Sequence, residues 1–389
     1  MSIEKIFNHV TILKHLSIKI DDVEINPTEI VTAEIKTSFF DFGVRGSIKI
    51  KDSFDLNNNK DQPFNNDNTI SISARDFLKN QFYRTFKITK ITSGLFGERM
   101  KIFDVEFIDE ITYKLMNTYI SRSFTDTPVN AFKEYLTHIG IDDLIASNRM
   151  EYDIVDSSTS HSFVVPQDIS ALEFFTKFLK QENIRFWQDR NKFYIKEIDI
   201  SSVPPLLKPD GTDLHYSNDV LNNEYVFKIH DFNMHNNSSL EINLLKPIEK
   251  TFRYDGNKEI IDITNNLTEV TPTLALNNID TTNYQETSGE KYKTQGHFTQ
   301  GNQDYDVFDI LIHNNNLDIV VPGTFLYSNV GTIVNISLKG NHLYSSSQLQ
   351  GDSLVNGKYF VAEVSDRIVG DKIINKLELC RLDSQNPRG

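Results

Sequence analysis

Phe86–Arg99 reads FKITKITSGLFGER, and Tyr359–Lys372 reads YFVAEVSDRIVGDK. The two align without a gap at an offset of 273 residues: Phe86 meets Tyr359, Ile88 meets Val361, Ile91 meets Val364, Gly97 meets Gly370 and Arg99 meets Lys372. Each reads as an alternating strand, a turn carrying Gly, and the start of a return strand. The return strands match as well once one residue is skipped, Val105–Phe107 (VEF) against Leu377–Leu379 (LEL). Alternating strands resemble one another by chance, but alternation does not require the glycine or the charges that follow it. Similar hairpins in the first and last quarters of the chain therefore point to a duplicated β domain, with Gly97 and Gly370 in equivalent turns.

At 389 residues the chain is long enough for two to four domains with their own cores. Its 27 Phe and 15 Tyr suit β cores and protein–protein contacts. Cys380 is the only cysteine, so no intrachain disulfide can form, which fits synthesis in a reducing cytoplasm. Charges interrupt Met1–Leu16 where a signal peptide would have an apolar core. No run of eighteen apolar residues occurs, and no membrane anchor is expected. The net charge of −14, with no Lys/Arg cluster, argues against a general nucleic-acid binder. Acidity of this kind serves solubility, or a lumen through which DNA passes without sticking.

Residues 1–112 read as a first β domain. Leu16, Ile18 and Ile20 alternate with polar residues, as do Val31, Ala33 and Ile35, then Ile48 and Ile50, then Ile70 and Ile72. Asn- and Asp-rich turns separate them, which suggests a small barrel or sandwich. Residues 113–205 read as an α+β module. Thr127-Pro128 starts a helix over about 128–139, with Val129, Phe132, Leu136 and Ile139 on one face and Gly140 as its stop. Ser170 and Glu173 form a capping box for a helix over about 171–182, followed by a hairpin over 184–198. A second, split β domain occupies 206–250 and 305–385. Between its parts, residues 251–304 form a polar insertion of loops and weak strands, rich in Asn, Thr and Gln.

Motifs that carry chemistry are missing. No His-Glu-x-x-His, Cys-x-x-Cys, Walker loop, nucleophile elbow or dinucleotide fingerprint occurs. Asp55-x-Asn57-x-Asn59 begins like a calcium loop, but Lys60 and Asn66 stand where the turn Gly and the bidentate Glu belong. No carboxylate pair is singled out; Asp109–Glu110 and Asp142–Asp143 read as strand-end and loop charges. The expectation is no catalytic residue, no metal and no cofactor. One aromatic cluster stands out, Ser38-Phe-Phe-Asp-Phe-Gly43. In a strand Phe40 and Phe42 share a face and Phe39 points the other way, so all three are candidates for a subunit interface. The alternative places all three in one domain's core or at a bent strand end.

The order of pieces resembles the baseplate hub proteins of contractile-tailed bacteriophages, whose fold recurs in the base of the type VI secretion spike. Four stretches carry the resemblance: RGSIKIKDSFDL (Arg45–Leu56), ISRSFTDTPVNAFKEYLTHIG (Ile120–Gly140), the helix and hairpin of Ser170–Ile198, and VVPGTFLYSN (Val320–Asn329) with Asn356–Asp383. It implies a mainly β chain with an α+β module, in which two similar antiparallel β-barrel domains of the tail-hub fold sit side by side. It implies a homotrimer whose six barrels join a threefold central spike protein to a sixfold tail tube. Further implied partners are a tube-initiating protein and the end of the tape measure protein, in a virion tail baseplate assembled from protein made in the host cytoplasm. A tail adhesin that binds carbohydrate and a tail-associated hydrolase are the competing readings.

Overall fold

A computed structural model describes residues 11–21, 23–52, 68–76, 80–96, 100–156, 160–181, 184–197, 203–207, 213–217, 226–229, 231–236, 251–254, 260–263, 315–325, 330–338 and 355–381. The first unit comprises β1 (Thr11–Ile12), β2 (His15–Ile20), β3 (Val23–Ile25), β4 (Ile30–Ser38), β5 (Val44–Asp52), β6 (Thr69–Arg75), β7 (Gln81–Phe96) and β8 (Met100–Asp109). Its strands lie in the order β4-β5-β8-β7-β6-β2-β3, all antiparallel. The alternating Ile18, Ile48, Ile50, Ile70 and Ile72 turn inward to one core. Val31 departs from its expected inward place. The β4–β5 register slips between Ile30 and Thr32, so Ile30 takes the core position and Val31 is half-buried.

The middle of the chain holds α1 (Glu110–Met116), β9 (Arg122–Asp126), α2 (Pro128–His138), α3 (Ile141–Ser147), β10 (Glu151–Val155), β11 (His161–Val165), α4 (Ala171–Gln181), β12 (Ile184–Gln188) and β13 (Lys192–Glu197). Thr127 caps α2, its Oγ1 accepting from the Asn130 N–H at 3.2 Å, and Gly140 ends it at φ 71°. Ser170 accepts from the Glu173 N–H, but the carboxylate of Glu173 pairs with Lys177, one turn on, at 2.7 Å. The β12–β13 hairpin is antiparallel, and β10 adds to β13 in parallel. Phe132 of α2 and Phe175 of α4 meet at 4.4 Å in a separate core that also takes in Ile111 and Leu115 of α1.

The last part contains β14 (His215–Ser217), β15 (Val226–Lys228), β16 (Asp231–Asn236), β17 (Thr251–Tyr254), β18 (Ile260–Ile263), β19 (Asn315–Pro322), β20 (Ile333–Ser337), β21 (Gly357–Val369) and β22 (Lys372–Arg381). Five strands run β16-β19-β22-β21-β20, all antiparallel, over a third core. Beyond them β14 pairs in parallel with β20 and with β15, which departs from the antiparallel pairing expected of the second β domain. The β17–β18 hairpin is the part of the polar insertion among the described residues; Leu240–Leu244 and Phe308–Ile312, read as strands, lie outside them.

The two five-strand sets share one layout. In chain order, β4, β5, β6, β7, β8 correspond to β16, β19, β20, β21, β22, and each set is laid out in the same spatial order. The registers agree too. Ile70 opposes Phe86 where Val334 opposes Tyr359, and Ile88 opposes Phe107 where Val361 opposes Leu379. Each hairpin then slips by one residue at the same place, between Ile88 and Lys90 in one and Val361 and Glu363 in the other. The bulge is common to both copies, so the skipped residue lies in the turn: three residues separate Phe96 from Met100, and two separate Val369 from Lys372. Volumes compensate between the copies. Gly46 faces Phe107 in the first, where a Cβ would lie 2.7 Å from the ring, and Leu317 faces Leu379 in the second.

Candidate functional site

The long hairpin β21–β22 belongs to both units. Its base, with Tyr359, Val361, Leu377 and Leu379, lies in the core of the second unit, whereas Ile368 and Ile373 near its tip lie in the core of the first. Along β21 the same edge serves both sheets. Gly357–Phe360 pair with β20, and Glu363–Ile368 pair with Ala33–Ser38 of β4. At the tip Gly370 takes φ 62° as the first of two turn residues, a conformation glycine adopts without strain. There β1 pairs with Lys372 and Ile373 of β22, so the first sheet curls back onto the hairpin. Gly97, its counterpart in the repeat, lies outside the described residues.

A chain of buried polar groups ties the α+β module to this joint. Asp109 ends β8 and caps α1, accepting from the Thr112 N–H at 3.0 Å, from the Val44 N–H at 2.9 Å and from Gln188 Nε2 at 3.0 Å. Gln188 Oε1 accepts from Arg84 Nη1 at 2.7 Å, and Arg84 Nη2 donates to the carbonyls of Asp189 and Arg190 at 2.7 and 3.1 Å. Arg190 reaches Asp366 of β21 at 2.7 Å, with both side chains buried. Asp366 also accepts from Asn375, whose Oδ1 takes the Thr324 N–H at 2.6 Å; Thr324 Oγ1 in turn donates to Asp76 at 2.9 Å. Burial pushes the carboxyls of Asp189 and Asp366 above the usual carboxylate range and lowers the Arg84 guanidinium, which the nearby Asp109 and Asp189 oppose. Arg84 Nε and Arg190 Nη1 are buried without a hydrogen-bond partner, but each side chain here is anchored through its other polar atoms, so the arrangement ties the module to both sheets.

The aromatic cluster sits beside the joint. Phe39 is only 2% exposed and packs on Trp187 and Phe360 at 5.0 and 4.9 Å in the core of the second unit. Phe39 is thus packed within the core of a single chain. Phe40 is half-buried against the same core, and Phe42 is half-buried against Phe186 of the module at 4.6 Å. The two thus part company, one serving each body, because the strand ends at Ser38 and their shared face is lost. Sequence reading passed over Arg84, Gln188, Arg190 and Asp366. The available signal was a charged or amide residue at an inward position of an alternating strand, as at Arg84 between Phe82 and Phe86.

Among the described residues no three His, Cys, Asp or Glu side chains gather as metal ligands, and no helix is long and apolar enough to cross a membrane. Burial raises the Cys380 thiol to about 12, far from a nucleophile's range. No protein-family model matches the sequence, and no curated protein does. Solved structures do match. The 43 kDa tail protein of prophage MuSo2 from Shewanella oneidensis aligns over 95% of this chain and 98% of its own, with TM-score 0.56 and 10% identity. The tail protein from Neisseria meningitidis MC58 aligns over 96% and 97%, with TM-score 0.53 and 10% identity. From end to end, this chain has the fold of these tail proteins, one of them from a prophage, in line with the phage-tail resemblance read from its sequence.

Proposed function

We propose that this protein is a structural component of a phage tail, the central baseplate hub, and that three copies form a ring. The observation that supports it is the duplication: one chain carries two five-strand units with the same order, register and bulge. Three such chains supply six similar units, which lets a threefold spike meet a sixfold tube. In this reading each unit is a barrel of the ring, the spike protein lies on one side, and a tube-initiating protein lies on the other. The tape measure protein ends within it. The surplus of negative charge lets DNA cross the lumen without binding, and the work is done by shape and interfaces with no catalytic step. The test is the mass in solution by light scattering after size exclusion, with and without the spike. A mass near three times 44.8 kDa is expected for the chain alone, or three chains plus the bound spike when both are present; a monomer in both refutes the ring.

A further inference from the structure

The tip of the β12–β13 hairpin is held from two sides, by Arg84 of β7 and by Asp366 of β21. Four carboxyls, those of Asp76, Asp109, Asp189 and Asp366, are buried along the joint with two guanidiniums, Arg84 and Arg190. Their surroundings are unequal. Asp76 accepts from the N–H and side chain of Asn80, from Thr324 Oγ1 and from the Phe325 N–H. Asp109 accepts from Val44, Thr112 and Gln188, and Asp366 has the guanidinium of Arg190 and the amide of Asn375. The carboxyl of Asp189 accepts from the Arg190 N–H alone, at 2.7 Å, although the residue is only 5% exposed. Arg84, the other cation that faces it, donates to backbone carbonyls and to Gln188 instead. A buried carboxyl with one donor and surplus negative charge around it is more stable protonated than ionised.

We propose that Asp189 holds a proton in the folded chain and that this proton latches the module to the β21–β22 hairpin, its loss driving the tip of β12–β13 out of the joint. Ionisation would put a bare carboxylate at the buried tip, and water is where it finds donors. Burial raises the Asp189 carboxyl and the charge of Asp366 raises it further, against the pull of Arg190 and Arg84. Tyr194 of β13 faces Asp189, and Tyr216 of β14 faces Arg190; burial keeps both phenols neutral, so neither offsets the charge. Asp153 of β10, which also faces Tyr194, is paired with Lys196 at 2.8 Å. Asp109 of β8 lies behind Gln188, and Asp76 lies beyond Asn375 and Thr324. Because the folded-state pKa is raised, the stabilisation from this proton is full below the unfolded pKa and is lost as pH rises through the folded one. The latch works within one chain and does not depend on the ring.

The test compares the full chain with its Asp189→Asn variant, in which the amide stands in for the protonated carboxyl. Trp187, the only tryptophan, sits two residues before Asp189 and packs on Tyr194 at 4.5 Å and on Phe39 at 5.0 Å, so its emission reports on the tip. Urea titrations followed by this emission are run from below the carboxylate range to mild alkali. Equal midpoints are expected at the acid end, with the variant more stable by a margin that grows as pH rises. Before urea is added, the emission of the unmodified chain should shift to the red with rising pH, and that of the variant should not. Equal midpoints at every pH, or a variant that is the weaker one at neutral pH, overturn the proposal. A growing margin without the red shift overturns the latch and leaves the proton. If Asp189→Asn does not fold, carboxyl carbon NMR of the unmodified chain decides: the Asp189 carboxyl, assigned through its own backbone, should stay protonated after the exposed aspartates have ionised. Ionisation together with them overturns the proposal.

Discussion

The hairpins β7–β8 and β21–β22 share strand order, register and bulge, yet Thr92 and Ser93 of one are exposed where Ser365 and Asp366 of the other are buried. Apolar placement does not explain this, since Ile91-Thr-Ser-Gly-Leu95 and Val364-Ser-Asp-Arg-Ile368 both set apolar residues around three polar or small ones. What differs is the neighbour. In β21 the strand β4 covers the edge, Ser365 donates to Glu34 at 2.7 Å, and Arg190 from the module neutralises Asp366. A strand's polarity thus fixes which groups need partners, and the packing of the next body decides whether they find them in protein or in water.

The largest expected contrast lies in the charges. Arg190→Ala leaves Asp366 buried without its counter-charge, and a loss of about 3–5 kcal/mol is expected by denaturant titration. The sign of its pH dependence is fixed by burial, which raises the folded-state pKa of Asp366. In the variant the lone carboxyl can take up a proton, so its stabilisation is full below the unfolded pKa and is lost as pH rises through the folded one. The penalty of Arg190→Ala therefore shrinks on acidification; a penalty that grows instead contradicts the assignment. Gly46→Ala comes next. Its methyl meets the Phe107 ring and the Glu34 carbonyl, and about 1–3 kcal/mol of destabilisation is expected. In the other unit the same place is held by Leu317, so Leu317→Ala tests the comparison from the opposite side, by a cavity whose cost is about 2–5 kcal/mol.

The exposed hairpin yields the smallest effect. Lys90 and Glu106 form a salt bridge at 3.0 Å with both side chains more than half exposed, and Lys90→Ala is expected to change the monomer's stability by less than about 1 kcal/mol. A value near that of Arg190→Ala would mean that the β7 edge is already buried in the free chain. Cys380 gives a probe that costs no stability. It is fully buried on β22 with its thiol raised to about 12, so alkylation should proceed only as fast as the chain unfolds. Rapid labelling under native conditions would show that the bridging hairpin opens.

The features legible in the sequence were local ones. Thr127-Pro128 and Gly140 bound α2, Ser170 starts α4, and the alternating isoleucines mark β2, β5 and β6, because caps and alternation act over a few residues. The repeat was visible because Phe86, Ile88 and Ile91 keep their apolar character at the matching positions. The joint was not visible. Arg84 meets Gln188 across 104 positions and Arg190 meets Asp366 across 176, and nothing in the intervening chain encodes such a meeting. The same holds for β10 on β13 and β14 on β20, parallel pairs formed by packing rather than by a turn. Short helices such as α1 and α3 escaped because seven residues carry too little periodicity to be read.

The central claim is that two equivalent units in one chain alternate around a ring. Electron cryomicroscopy of the assembled protein tests it most directly. The account predicts end-on averages with six similar lobes and true threefold symmetry. A twofold dimer, an open filament, or a ring in which the two units lie at different radii would contradict it.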